Sequence, residues 1–141
     1  MDIKDAINYR ESVVNLLKAE RLPADDMPAQ LDNFLVAIQH DEVIGTAGLE
    51  TYGNYGLLRS VAVRSDSRNK GVAGELLKQI ETLAAAKFLK EIYLLTETAP
   101  DYFEHKNYMK ITRADVPEEV QRSSEFSHVC PQSAIVMKKL L

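Results

Sequence analysis

The runs Leu57-Leu58-Arg59-Ser60-Val61-Ala62-Val63 and Glu91-Ile92-Tyr93-Leu94-Leu95-Thr96 both read as strands, with one amphipathic helix between them. In that helix Leu76, Leu77, Ile80, Leu83 and Ala84 recur at i, i+1, i+4, i+7 and i+8, a single apolar stripe. Strand, helix (73–88) and strand (92–96) form a crossover. Such a connection makes its two strands parallel, and a sheet with a parallel pair needs cover from helices.

The flanks add to this unit. Phe34-Leu35-Val36-Ala37-Ile38 and Val43-Ile44-Gly45-Thr46-Ala47-Gly48-Leu49 are strand-like, with a turn at His40-Asp41-Glu42 and another at Gly53-Asn54-Tyr55-Gly56. With residues 57–63 they predict a three-stranded antiparallel meander. Ahead of it, Asn8-Tyr9-Arg10-Glu11 reads as a capping box with Asn8 as N-cap. Tyr9, Val13, Leu16 and Leu17 continue at helical spacing until Leu22-Pro23. A short second helix is expected around 25–34. Downstream the pattern predicts a helix at 99–106, a strand at 108–112, a helix starting at Pro117 and a last strand at 133–137. The expected class is α/β (α+β): a mixed, mostly antiparallel sheet with a central β-α-β crossover and helices on both faces.

The chain has 141 residues, which fits one domain over 1–141. Its one cysteine, Cys130, excludes a disulfide framework and a Cys-rich metal site. A formal net charge of -4 argues against nucleic acid as partner, because phosphate binding is built on excess Lys and Arg. No apolar run is long enough for a bilayer, and Met1-Asp2-Ile3-Lys4-Asp5 does not open a secretory signal. A cytoplasmic protein without a membrane partner is the expectation.

All six glycines lie between positions 45 and 74, so the unusual backbone is concentrated mid-chain. The segment from Arg64 through Arg68, Asn69, Lys70, Gly71, Val72, Ala73 and Gly74 links a strand to the start of the long helix. Arg64, Arg68 and Lys70 stand there against Asp66 alone, three cations to one carboxylate. Small residues at a helix N-terminus with local positive charge meet the requirements of a phosphate site. The segment is neither a Walker A loop nor a dinucleotide fingerprint. It fits equally a helix whose glycines only permit close packing beside a solvated basic loop.

Arg68-x-x-Gly71-x-Ala73 resembles the Q/R-x-x-G-x-G/A motif of the GNAT (Gcn5-related) N-acetyltransferases. Tyr102-Phe103-Glu104-His105-Lys106-Asn107-Tyr108 is similar to that family's F-Y-E-x-x-G-F segment, and the order of elements agrees along nearly the whole chain. Leu94-Leu95-Thr96-Glu97-Thr98-Ala99 resembles the catalytic domain of N-acetylglutamate synthases. Leu57 to Val63 and Cys130-Pro131-Gln132-Ser133-Ala134 resemble small acetyltransferases of arsenic-resistance operons.

The resemblance implies acetyl-CoA as co-substrate, with no metal. Its pyrophosphate would lie on the amides of Asn69, Lys70, Gly71, Val72, Ala73 and Gly74, beside Arg68. Its pantetheine arm would follow Val61, Ala62 and Val63 where the two parallel strands splay. The acceptor amine would attack the thioester directly, its carbonyl polarised by a strand amide near Val61. A homodimer is compatible with the family.

Two departures stand out. Phe103 occupies the place of the family's usual Tyr acid, which leaves Tyr102, Tyr108 or water to protonate the departing thiolate. Asn107 replaces a glycine, as Asn can where a left-handed helix cap is needed. Glu50, at the end of its strand, is a candidate general base. Arg59 interrupts an apolar strand and, by strand alternation, shares a face with Val61 and Val63; it is the candidate anchor for the acceptor. Ser60, Thr96 and Arg113 join it on the acceptor side. His40, His105 and His128 lack ligand spacing, and Cys130 reads as a small buried residue rather than a nucleophile. The expected function is acetyl transfer to a small, carboxylate-bearing amine. A protein N-acetyltransferase, a CoA-binding sensor and a purely structural domain remain open.

Overall fold

A computed structural model of the chain describes residues 1–129 and 133–141; Cys130 and the segment around it (130–132) lie outside the described residues. The elements are β1 (Asp2–Asp5), α1 (Arg10–Ala19), β2 (Phe34–Gln39), β3 (Glu42–Tyr52), β4 (Tyr55–Val63), α2 (Val72–Ala86), β5 (Glu91–Thr96), α3 (Pro100–His105), β6 (Met109–Ile111), α4 (Glu118–Gln121) and β7 (Ile135–Leu140). They form a mixed α/β fold on one seven-stranded sheet in the order β1-β2-β3-β4-β5-β7-β6. Pairs β1–β2, β2–β3, β5–β7 and β6–β7 are antiparallel, and β4–β5 is parallel. The predicted crossover and its parallel pair are therefore present.

The residues fall into two compact units, 1–49 with 60–83 and 50–59 with 84–141. In the first, Val13, Leu16 and Leu17 of α1 pack with Leu31, Phe34, Val36 and Ala62. Full burial of each large apolar side chain contributes about 1.5–3 kcal/mol, which holds α1 by its apolar stripe. In the same unit α2 comes down onto β3 at Gly45. A Cβ there would stand 2.9 Å from Val72 Cγ1 and 3.1 Å from Leu76 Cδ1. The missing side chain sets how closely the start of α2 approaches the sheet. In the second unit Leu57, Tyr93, Val116, Val120, Phe126 and Val136 form the core.

Several local expectations are corrected. The N-cap of α1 is Tyr9 rather than Asn8, and no side-chain cap bond forms there. Residues 25–33 make turns and bends instead of a helix, and Phe34 already opens β2. The strand β1 was not foreseen: Ile3 is its one partly buried side chain, and it exists through its pairing with β2. Pro117 caps α4 from outside it.

Candidate active site

The strand-to-helix segment is built within the first unit. After β4 a 3-10 turn (Ser65–Ser67) leads into the loop. Asn69 has φ 62° and Gly71 φ 80°, both left-handed. The first bond of α2 is Glu75 N–H to Gly71 O at 3.0 Å, so the amides of Val72, Ala73 and Gly74 lie ahead of it. A Cβ on Gly71 would meet nothing within 4 Å, so this backbone opens onto free space. Alternating left-handed residues before a helix N-terminus make a concave set of N–H groups suited to an anion. Close packing on the sheet is seen at Gly45 of β3, outside this segment, while the backbone at Gly71 is open.

The charges of the loop differ from the sequence count. Arg64 donates from Nε to Asp66 and from a terminal nitrogen to Glu42, each at 2.6 Å. The hydrogen bond to Asp66, then that to Glu42, holds the Arg64 guanidinium above its ordinary range. Arg64 in turn lowers Asp66. Arg68 pairs with Glu20, the C-cap residue of α1, and donates from Nε to Val63 O at 3.3 Å. Glu20 and Glu42 thus join Asp66, and three carboxylates face the three cations. The loop thus offers an anion its backbone amides and the helix end rather than surplus charge. Lys70 is exposed.

Within β4, Ser60 takes φ 57°, and its hydroxyl lies 3.9 Å from Met27 Sδ. A left-handed residue breaks the two-residue alternation of a strand. The inference that Arg59 shares a face with Val61 and Val63 therefore does not carry across Ser60. Val61 and Val63 are partly buried and Ala62 is buried. The pairing of β4 with β5 covers Tyr55–Glu91, Gly56–Ile92 and Leu57–Tyr93.

The second unit holds the remaining candidates. Arg59 is buried at 3% exposure, with a terminal nitrogen 3.4 Å from Glu50 Oε1. β3 thus supplies Arg59 with a carboxylate from within the protein. Thr96 Oγ1 accepts the Ala99 N–H at 3.1 Å and so shapes the turn into α3. Tyr102, Phe103 and Tyr108 stack edge to face at 5.4 and 5.7 Å between centroids. Lys106 lies over the Tyr102 ring and Lys139 over that of Tyr108, each at 5.6 Å. Asn107 has φ 72°, the left-handed cap expected of it. Arg113 lies 5.6 Å over Phe126, beside a cleft of about 290 Å³ lined also by Ala114 and Gln121. Sequence reasoning missed Glu20 and Glu42: each is remote in the chain from the arginine it meets, and neither belongs to a motif.

Among the described residues, no group of three or more His, Cys, Asp or Glu could hold a metal ion, and no helix is long and apolar enough to cross a membrane. The family model described as the Acetyltransferase (GNAT) family matches residues 9–110. The chain belongs to the GNAT family. That family is one of acetyltransferases. An amino-acid acetyltransferase of Ralstonia nicotianae is 32% identical over 111 residues, 77% of this chain but 24% of that protein. The chain therefore spans about a quarter of that relative's length. An uncharacterized N-acetyltransferase of Bacillus subtilis is 28% identical over 73% of this chain and 76% of its own. Among solved structures, N-acetylglutamate synthase of Neisseria gonorrhoeae complexed with coenzyme A and L-arginine superposes with TM-score 0.83. It is 16% identical and covers 99% of this chain and 33% of that one. A Mycobacterium tuberculosis protein in complex with CoA superposes at 0.80, 19% identical, over 100% and 99% of the two chains.

Proposed function

We propose that this acetyltransferase moves the acetyl group from acetyl-CoA to the amine of a small, carboxylate-bearing, amino-acid-like acceptor. The observation that carries this is the Glu50–Arg59 pair, which presents both signs of charge that a zwitterion needs. The two groups stand 3.4 Å apart, wider than the ~2.7–2.9 Å of a charge-assisted hydrogen bond. Support also comes from the relative named as an amino-acid acetyltransferase and from neighbours solved with glutamate derivatives or arginine.

In this reading the open backbone of Asn69 to Gly74 holds the pyrophosphate, and Val61 to Val63 run beside the pantetheine arm. The neutral amine attacks the thioester carbon, the carbon–sulfur bond breaks and the thiolate leaves. Glu50 takes the amine's proton, directly or through water, and Tyr102 or Tyr108 returns one to sulfur. Arg59 holds the acceptor's carboxylate, with Ser60, Thr96 and Arg113 as further acceptor-side groups. Residues 1–141 act as one domain.

A thiol-release screen of amino acids and their amides tests the acceptor class. The wild type should turn over an amino acid and lose most of its kcat/KM on the matching amide. Arg59→Ala should lower kcat/KM for the acid by about 1.5–3 kcal/mol and discriminate little between the two. Equal discrimination in both proteins would remove Arg59 from the acceptor site. Tyr102→Phe and Tyr108→Phe identify the acid: the one that carries it lowers kcat, and unchanged turnover in both assigns the proton to water.

A further inference from the structure

We propose that Glu20 is a positioning residue for coenzyme A. It clamps Arg68, so that this arginine fastens the loop to α1 instead of contacting phosphate. The proposal rests on the reading of residues 69–74 as the pyrophosphate site.

Three observations lead to it. The first is the position of the carboxylate. Glu20 is the C-cap of α1, where the helix dipole presents its negative end and a carboxylate is disfavoured. Arg21, next in the chain, is left-handed at φ 59°, and its N–H and that of Leu22 close onto Lys18 O and Leu17 O. The backbone that carries Glu20 is therefore fixed by the end of the helix.

The second is burial. The Glu20 side chain is 13% exposed, while that of Arg68 is 55% exposed. Were Arg68 to swing toward a phosphate, Glu20 would be left at a helix C-terminus, largely enclosed, without its cation. Glu20 would then lose its charged hydrogen bond while staying mostly enclosed, which favours the arginine in place.

The third is the conformation being held. Arg68 is tied at two points, to Glu20 and to Val63 O, directly before Asn69 and Gly71. Asn visits the left-handed region more readily than most residues but is not confined to it, so a neighbour that fixes the chain selects that conformation. The clamp supplies that constraint before the ligand arrives, so less ordering remains to be done on binding.

The test compares Glu20→Gln, Arg68→Gln and the double variant by calorimetry with CoA, and by steady-state kinetics with acetyl-CoA and with acetylpantetheine, which has no pyrophosphate. Each single variant should weaken CoA about tenfold, and the double variant should be no weaker than either, the signature of one shared interaction. The loss should appear in KM for acetyl-CoA more than in kcat, and kcat/KM for acetylpantetheine should change less than twofold. Unchanged or tighter CoA binding in Glu20→Gln would mean the freed arginine serves the phosphate, and overturns the proposal. So would losses that multiply in the double variant, or an equal loss with acetylpantetheine. A wild type that binds CoA no better than pantetheine would instead overturn the pyrophosphate site itself.

Discussion

Three helices of this protein are followed by a left-handed residue that is not glycine. Arg21, Phe88 and Asn107 each sit just past a helix with φ between 59° and 72°. At each, the next N–H reaches back five residues: Leu22 to Leu17 O, Leu89 to Ala84 O and Tyr108 to Phe103 O. Asn tolerates this conformation, but a bulky Phe does not, and Phe88 is also 85% exposed. The left-handed region costs a non-glycine residue roughly 1–2 kcal/mol, offset in part by the backbone entropy of glycine. Phe88→Gly should therefore raise stability by about 0.5–1 kcal/mol in urea unfolding; a loss would mean that the exposed ring makes contacts of its own. A second residue-scale prediction concerns pH. Burial, and then its hydrogen bond to Glu91, push the Tyr93 hydroxyl above its ordinary value of 10.0. A folded value raised above the unfolded one contributes stability that is complete below about pH 10 and is lost as pH rises beyond it. The wild type's margin over Tyr93→Phe should thus shrink as pH rises above about 10, and a constant margin would contradict the shift.

At the scale of elements, the start of α2 is set by what β3 lacks. With Val72 Cγ1 only 2.9 Å from a Cβ built on Gly45, Gly45→Ala forces the first turn of α2 away from the sheet. Overpacking of this kind costs about 1–3 kcal/mol. The variant should also bind CoA less tightly, because the amides of Val72 to Gly74 move with the helix. Gly71 answers to a different constraint. Its side-chain position is open, so Gly71→Glu should leave the sheet intact, apart from the strain of φ 80°. The added carboxylate would occupy and repel the pyrophosphate site. Calorimetry should show at least a tenfold loss of CoA affinity with unchanged far-UV dichroism; retained affinity would move the phosphates elsewhere.

For the molecule as a whole, β3 and β4 each run from one compact unit into the other, the boundaries falling at Glu50 and Ser60. A strand that belongs to both units cannot lose its ladder in one without disturbing the other. We expect a single unfolding transition in which Tyr fluorescence and far-UV dichroism coincide. Two separated transitions would divide 1–141 into independent domains. CoA at a hundred times its dissociation constant should stabilise the folded state by about 2.7 kcal/mol, and so raise Tm by several degrees.

The β-α-β unit, the meander before it and the left-handed cap at Asn107 were legible in the sequence, because each rests on local periodicity or on a short-range backbone requirement. Of the candidate site, Gly71 and the start of α2 were legible as small residues ahead of a helix, and the open backbone at Gly71 agrees with that reading. What only the tertiary structure decided is which charges meet. Glu20 and Arg68 are 48 residues apart, and Glu42 and Arg64 are 22 apart. No periodic pattern links such pairs, so a loop that reads as cationic is in fact balanced. The same holds for β1, whose four residues become a strand only because β2 offers them an edge. Ser60 is a third case: nothing about a serine in an apolar run announces φ 57°, yet that angle ends the alternation on which the placement of Arg59 was argued. Local patterns fix what a segment can become; pairings across the fold fix which of its groups remain available for chemistry.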